Sequence, residues 1–304
     1  MWKTVLFLIF TLIIVPLLAY WYDVPLTEKQ HAVMMPVIWL YLIFAALCFI
    51  VSTLTNNYSQ VDKLWSIMPA IYAWMICGNA DFEPRLVLMS VLITLWACRL
   101  TFNFGRRGGY SWKFWTGEED YRWAVLRAKP EFSAKWKWIL FNLFFISFYQ
   151  MGLVMLITLP MIKAVDGTPL GAFDYVLAVL VVLVVIVEFV ADQQQWNYQK
   201  EKYRLKNANL PLTGIYEKGF THTGLWAYMR HPNYAAEQTV WILIYAFSIV
   251  ATGVAVNWTI AGCLLLVVLF KGSSDFSEKI SMDKYVGYKD YQKRVPRFVP
   301  FTKR

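Results

Sequence analysis

Residues 173–191, FDYVLAVLVVLVVIVEFVA, form a near-continuous run of Val, Leu, Ile and Phe interrupted by only two acids, Asp174 and Glu188. A helix that is apolar on all sides belongs either in the core of a large protein or in lipid. About 20 such residues cross the roughly 30 Å hydrocarbon core of a bilayer. The composition chooses lipid: the 304 residues are 58% apolar and 16% charged, against roughly 45–50% and about 25% in soluble chains.

Read outward from this run, further spans are expected at 4–20, 34–54, 64–78, 86–104, 137–160, 235–252 and 256–271. The fold class is all-α: a polytopic transmembrane bundle of about eight spans, with seven as the alternative. Internal repeats and low-complexity tracts are absent, so residues 1–304 read as a single integral membrane domain. The first run follows Lys3 as a signal peptide would, but it lacks a small-x-small cleavage pattern and ends in Tyr20, Trp21 and Tyr22. It reads as a retained helix with aromatics at the interface.

Short cytoplasmic loops carry an excess of Lys and Arg. The segment after the fourth span holds nine, the one after the sixth holds six, and the chain from Lys271 onward holds nine. With Lys3 and Lys63, 26 of the 29 basic residues fall on one side, which leaves Lys29, Arg85 and Lys163 opposite. Eight spans with both termini cytoplasmic satisfy the rule at every loop. Attraction to anionic headgroups accounts for much of this charge without any ligand, and no nucleic-acid-binding motif is present. Cys48, Cys77, Cys98 and Cys263 all fall inside expected spans, with no spacing suited to a metal or a redox pair, so no metal is expected.

Ionisable groups at the ends of membrane helices are costly and are therefore functional candidates. Here these are Asp62, Arg99, Glu188, Asp192, Glu237 and Asp275. For each alone, an interfacial charge paired with a nearby Lys or Arg is an equal reading. The sharpest motif is Gly224–Glu237, GLWAYMRHPNYAAE, which leads from a loop into a span. Pro232 suits the first turn of a helix. A helix starting there turns its free N–H groups and positive dipole end toward Arg230 and His231, a seat for a phosphate or carboxylate. Asn233, Tyr234 and Glu237 then share one face. The structural alternative is a proline-started helix with a snorkelling arginine and an interfacial tyrosine. His31 and His222 are lone loop histidines and read as solvated. The C-terminal stretch, rich in Lys, Arg and Tyr, suits either a nucleotide phosphate or headgroups.

RHPNY followed by Glu237, with a tail ending RVPRFVPF, resembles the steroid 5-alpha-reductase C-terminal superfamily, which includes sterol C14 and C7 reductases and, more distantly, isoprenylcysteine carboxyl methyltransferase. The blocks VDKLWSIMP (61–69), CRLTFNFGRRGGY (98–110), EEDYRW (118–123) and ADQQQW (191–196) resemble its DUF1295 branch, from about residue 52 to 301. The resemblance implies seven to ten spans and an NADPH-dependent reduction of a carbon–carbon double bond in an apolar, steroid- or isoprenoid-like substrate. No G-x-G-x-x-G occurs, so a dinucleotide needs a non-Rossmann site. Carried over by position, Asn233 and Glu237 lie beside the nicotinamide, Arg230, His231 and Tyr234 match the rest of the motif, Asp192 lies near the adenosine, and Tyr291 and Arg294 lie in a nucleotide-contacting tail. The candidates are thus Glu237, Tyr234 and Asp62 as catalytic residues, and Arg99, Arg107, Asp192, Arg230, His231, Asn233, Tyr291 and Arg294 for the cofactor. Two rivals stand beside this reading: an S-adenosylmethionine-dependent methyltransferase, whose Glu-Glu pair about a dozen residues after the motif is missing here, and a non-catalytic lipid or sterol binder.

Overall fold

The computed structural model describes residues 10–300, all helix and loop with no strand among them. Lys3, Lys303, Arg304 and the start of the first apolar run lie outside the described residues. Besides three short 3-10 turns, ten helices follow in order among the described residues: α1 Phe10–Tyr22, α2 Glu28–Thr55, α3 Gln60–Asn79, α4 Pro84–Gly105, α5 Tyr121–Arg127, α6 Lys135–Ala164, α7 Ala172–Asn207, α8 Pro232–Thr252, α9 Ile260–Lys284 and α10 Tyr288–Arg294.

Six of these, α2, α4, α6, α7, α8 and α9, are long and apolar enough to cross a membrane. Each overlaps an expected span. The other two expected spans differ in kind. Helix α1 is described from Phe10 only, so the expected span at 4–20 lies partly outside the described residues, and α3 has 20 residues but carries Gln60, Asp62, Lys63 and Ser66 in its first two turns, which lowers its apolarity. Helix α7 continues to Asn207, so its 36 residues reach about 54 Å at 1.5 Å per residue. The polar half from Asp192 onward outruns the hydrocarbon that the first half fills.

The chain groups into two compact units, residues 1–179 with 242–266, and residues 180–241 with 267–304. In the first, α3 packs along α4 and against α2 and α6. Thr27 starts α2 with a reciprocal cap: its hydroxyl accepts from the Gln30 N–H while Gln30 accepts from the Thr27 N–H. Buried Asn142 on α6 ties into α2, its amide donating to Ser52 and Thr53 at 2.9 Å each. That satisfies a polar group that lipid would leave bare. Helix α6 widens to π geometry over Asn142–Tyr149, which brings Phe141, Phe145 and Tyr149 into a stacked column. Gly262 of α9 lets the backbone of α6 approach closely: a Cβ there would lie 2.5 Å from the Leu156 carbonyl.

In the second unit the polar half of α7, the start of α8, the end of α9 and α10 are drawn together. Their apolar contacts centre on Phe220, Tyr288, Tyr291 and Val295.

Candidate functional site

Proline lacks the N–H that a first-turn residue would leave unpaired, and α8 begins at Pro232 as the motif requires. The two residues before it pair with the C-terminal tail: the N–H of Arg230 donates to the Pro296 carbonyl at 2.9 Å and that of His231 to Arg297 at 3.1 Å. Asn233 caps the next N–H, its side-chain oxygen accepting from Tyr234 at 3.0 Å. Much of the helix N-terminus expected to seat an anion is therefore closed by the chain itself.

The Arg230 guanidinium is 5% exposed and is likewise engaged. Its Nε donates to Glu278 at 2.6 Å, Nη2 to the other Glu278 oxygen at 3.3 Å, and Nη1 to the carbonyls of Gln292 and Val295 at 3.1 and 2.5 Å. Glu278, only 2% exposed, also lies 2.9 Å from His231 Nε2, and it accepts from Gln292 at 2.7 Å and Arg297 at 3.4 Å. One carboxylate thus gathers four side chains from the motif and the tail. Among the described residues it is the acid to which Arg230 is paired. Sequence reasoning missed Glu278; the signal was an acid one turn after Asp275 on the polar end of α9.

Four of the expected cofactor and catalytic residues, Asp192, His231, Asn233 and Tyr234, are linked by direct contacts. The Asn233 amide donates to Asp192 at 3.2 Å, so the motif reaches the 2%-exposed carboxylate of α7. Tyr234 stacks on His231 with ring centroids 5.2 Å apart and packs against Phe270. Glu237, one turn deeper, is buried and accepts from Trp241 Nε1 of its own helix at 3.1 Å. The tail residues differ from each other. Tyr291 is buried, its hydroxyl donates to the Trp226 carbonyl, and burial pushes its phenol well above the usual range. Arg294 is exposed at the end of α10, its Nε donating to the Asp290 carbonyl at 3.2 Å. A second missed residue is Lys202, buried within α7, whose ammonium donates to the Gly219 carbonyl at 3.1 Å and sits over the faces of Tyr198, Tyr203 and Tyr285.

Asp62, Arg99 and Arg107 belong to the first unit. Asp62 lies in the first turn of α3, ahead of the apolar stretch, and accepts from Trp123 Nε1 at 3.0 Å. Burial and the neighbouring Asp120 charge raise its pKa. Burial would raise Asp120 too, but the Arg122 and Arg107 charges and the Arg122 hydrogen bonds hold it below the usual range. Arg99 is buried in α4, whereas Arg107 is exposed in the following loop.

The chain is similar to an uncharacterised protein of the fission yeast Schizosaccharomyces pombe, with 37% identity over 263 residues, 82% of this chain and 74% of the relative. No solved structure matches it. Residues 48–295 match the family model described as a protein of unknown function, DUF1295, a range that holds both groups of candidate residues. The chain is an integral membrane member of the DUF1295 family.

Proposed function

We propose that the protein is a membrane-embedded oxidoreductase that uses NADPH to reduce a carbon–carbon double bond in an apolar, steroid- or isoprenoid-like substrate, its basic end facing the cytoplasm. The observation that carries this reading is the meeting of Asn233 with Asp192 at the start of α8, with Glu237 buried one turn below. A nicotinamide carboxamide needs one acceptor and one donor. The Glu237 carboxylate offers the first, and the second Asn233 amide hydrogen, beyond the one given to Asp192, offers the other. Asp192 suits ribose hydroxyls. Because Arg230 is committed to Glu278, the phosphate role passes to exposed cations of the same unit, with Arg294 foremost.

NADPH, when bound, supplies the hydride. The chain's part is to orient it and to provide a proton for the second alkene carbon or for a conjugated carbonyl. The Tyr234 phenol, held against His231, suits the proton role.

The purified protein in nanodiscs should bind NADPH more tightly than NADH and should oxidise NADPH when offered a sterol enone. Tight binding of S-adenosylmethionine with no NADPH binding would instead favour the methyltransferase reading. Binding of the enone with no response to either cofactor would favour a lipid binder.

A further inference from the structure

The loop between α4 and α5 is held rigid from beneath and presents aromatic side chains outward. The Lys63 ammonium, on a side chain 6% exposed, donates to the carbonyls of Phe114 at 2.9 Å and Thr116 at 2.6 Å and to the Gln60 amide oxygen at 3.2 Å. The Gln60 amide donates to the Trp115 carbonyl at 2.9 Å, and Asn57 to the Gly117 carbonyl at 2.9 Å. Gly117 has φ +120°, and a Cβ there would run into the Gly109 carbonyl, so the return of the loop requires glycine. With four successive carbonyls, 114 to 117, turned down onto the start of α3 and onto Asn57 just before it, the side chains between them have little choice but to face away.

What they present is apolar and basic. Trp112 is 105% exposed, Phe114 67% and Trp115 41%, and Lys113 and Arg107 are exposed beside them. Of the three acids nearby, Glu119 pairs with Arg127 and Asp120 with Arg122, and Glu118 is exposed. Aromatic side chains left in water cost free energy in proportion to their area, and a rigid loop cannot fold them away. The loop follows the end of the apolar helix α4 and is pinned to the start of α3.

We propose that residues 112–115 are a fixed interfacial anchor, with Trp112, Phe114 and Trp115 seated among the headgroups of an anionic leaflet and Lys113 and Arg107 paired with lipid phosphates. Interfacial aromatics and juxtamembrane cations have this chemistry. The proposal rests on the membrane location of the helices and not on the reductase reading.

The test uses the full chain with Cys98→Ser, which removes the one exposed native thiol, and Trp112→Cys carrying an environment-sensitive fluorophore. Phe114→Cys serves as a second site should the first perturb folding. The labelled protein is placed in nanodiscs of phosphatidylcholine, with and without phosphatidylglycerol. A lipid nitroxide near the headgroup should quench the probe more than aqueous iodide does, with a blue-shifted emission, at a depth of about 5–10 Å, and more strongly with phosphatidylglycerol. Lys63→Met should loosen the loop and reduce the nitroxide quenching. Quenching by iodide and not by the nitroxide would overturn the proposal by placing the loop in water. Protection from both quenchers would overturn it by showing that protein covers the loop.

Discussion

Glu278→Gln is the most revealing single change, because it alters charge without altering shape. Both carboxylate oxygens face donors: Oε1 meets Arg230 Nε and lies 2.9 Å from His231 Nε2, and Oε2 meets Arg230 Nη2, Gln292 and Arg297. Whichever way the new amide is turned, its NH2 points at N–H groups. Arg230 is also left 5% exposed with no carboxylate in contact, since Asp275 is paired with Arg297 and Lys271. Breaking a buried pair by removing one partner costs roughly 3–5 kcal/mol, a large share of the 5–15 kcal/mol that holds a typical domain together.

The loss should appear first in the tail, because Arg230 holds Gln292 and Val295 by their carbonyls and its own N–H holds Pro296. In Glu278→Gln, trypsin should cut faster at Lys293 and Arg294, and the melting temperature in detergent should fall. The double change Arg230→Met with Glu278→Leu removes both charges and should recover part of the loss, since apolar replacement of a buried pair is often neutral. An unchanged melting temperature together with an unchanged tryptic pattern in Glu278→Gln would refute the view that this carboxylate holds the tail.

Glu237→Gln should leave the protein folded, because the amide oxygen still accepts from Trp241, yet it should slow single-turnover NADPH oxidation strongly; a full rate in the variant would remove Glu237 from the site. Asn233→Ala should weaken NADPH affinity by about 1–3 kcal/mol, the cost of one unmade buried hydrogen bond, and titration of nucleotide fluorescence reads it directly. Arg230→Ala should instead lower the melting temperature with little change in nucleotide affinity per folded molecule, the reverse of what its place beside a helix N-terminus suggests. Asp120 caps α5 through the Arg122 N–H, and with its folded pKa depressed its contribution is complete above the ordinary carboxylate value of about 3.9 and is lost as pH falls through the lower folded value. Asp120→Asn should therefore flatten the acid side of the stability–pH curve, measured as melting temperature against pH.

The fold was legible where apolarity is continuous, since lipid imposes one rule on every residue of a span. Run 173–191 and the helix beginning at Pro232 need no partner to be recognised. Helix α3 was harder, because its opening turns carry Gln60 and Lys63, whose role is to grip a loop 51 to 55 residues away in the chain. The candidate site was legible where residues lie close in sequence: Asn233, Tyr234 and Glu237 share a helical face by spacing alone. It was illegible where a contact joins distant segments. That Arg230 would be engaged by Glu278 and by the 292–295 carbonyls depends on α9 and the tail returning to the start of α8. A free arginine and a committed one look the same in sequence.

The three basic residues that the positive-inside count leaves on the opposite side are each neutralised in the first unit. Lys29 donates to Glu83 and Asp166 at 2.9 Å each, Arg85 pairs with Asp174 at 2.7 Å, and Lys163 pairs with Asp23 at 2.9 Å. These contacts join the end of α1, the start of α2, the turn between α3 and α4, the end of α6 and the start of α7. An alternating topology puts those same segments on one face, so the pairs support it without counting charges. They also sharpen the count. Under the eight-span reading, six acids, Asp23, Glu28, Asp81, Glu83, Asp166 and Asp174, accompany three bases there, and the sequence allots the other 26 bases and 14 acids to the opposite side. The apparent exceptions therefore carry no surplus positive charge. An ion pair is what makes a cation tolerable at a membrane face that the insertion rule keeps poor in Lys and Arg.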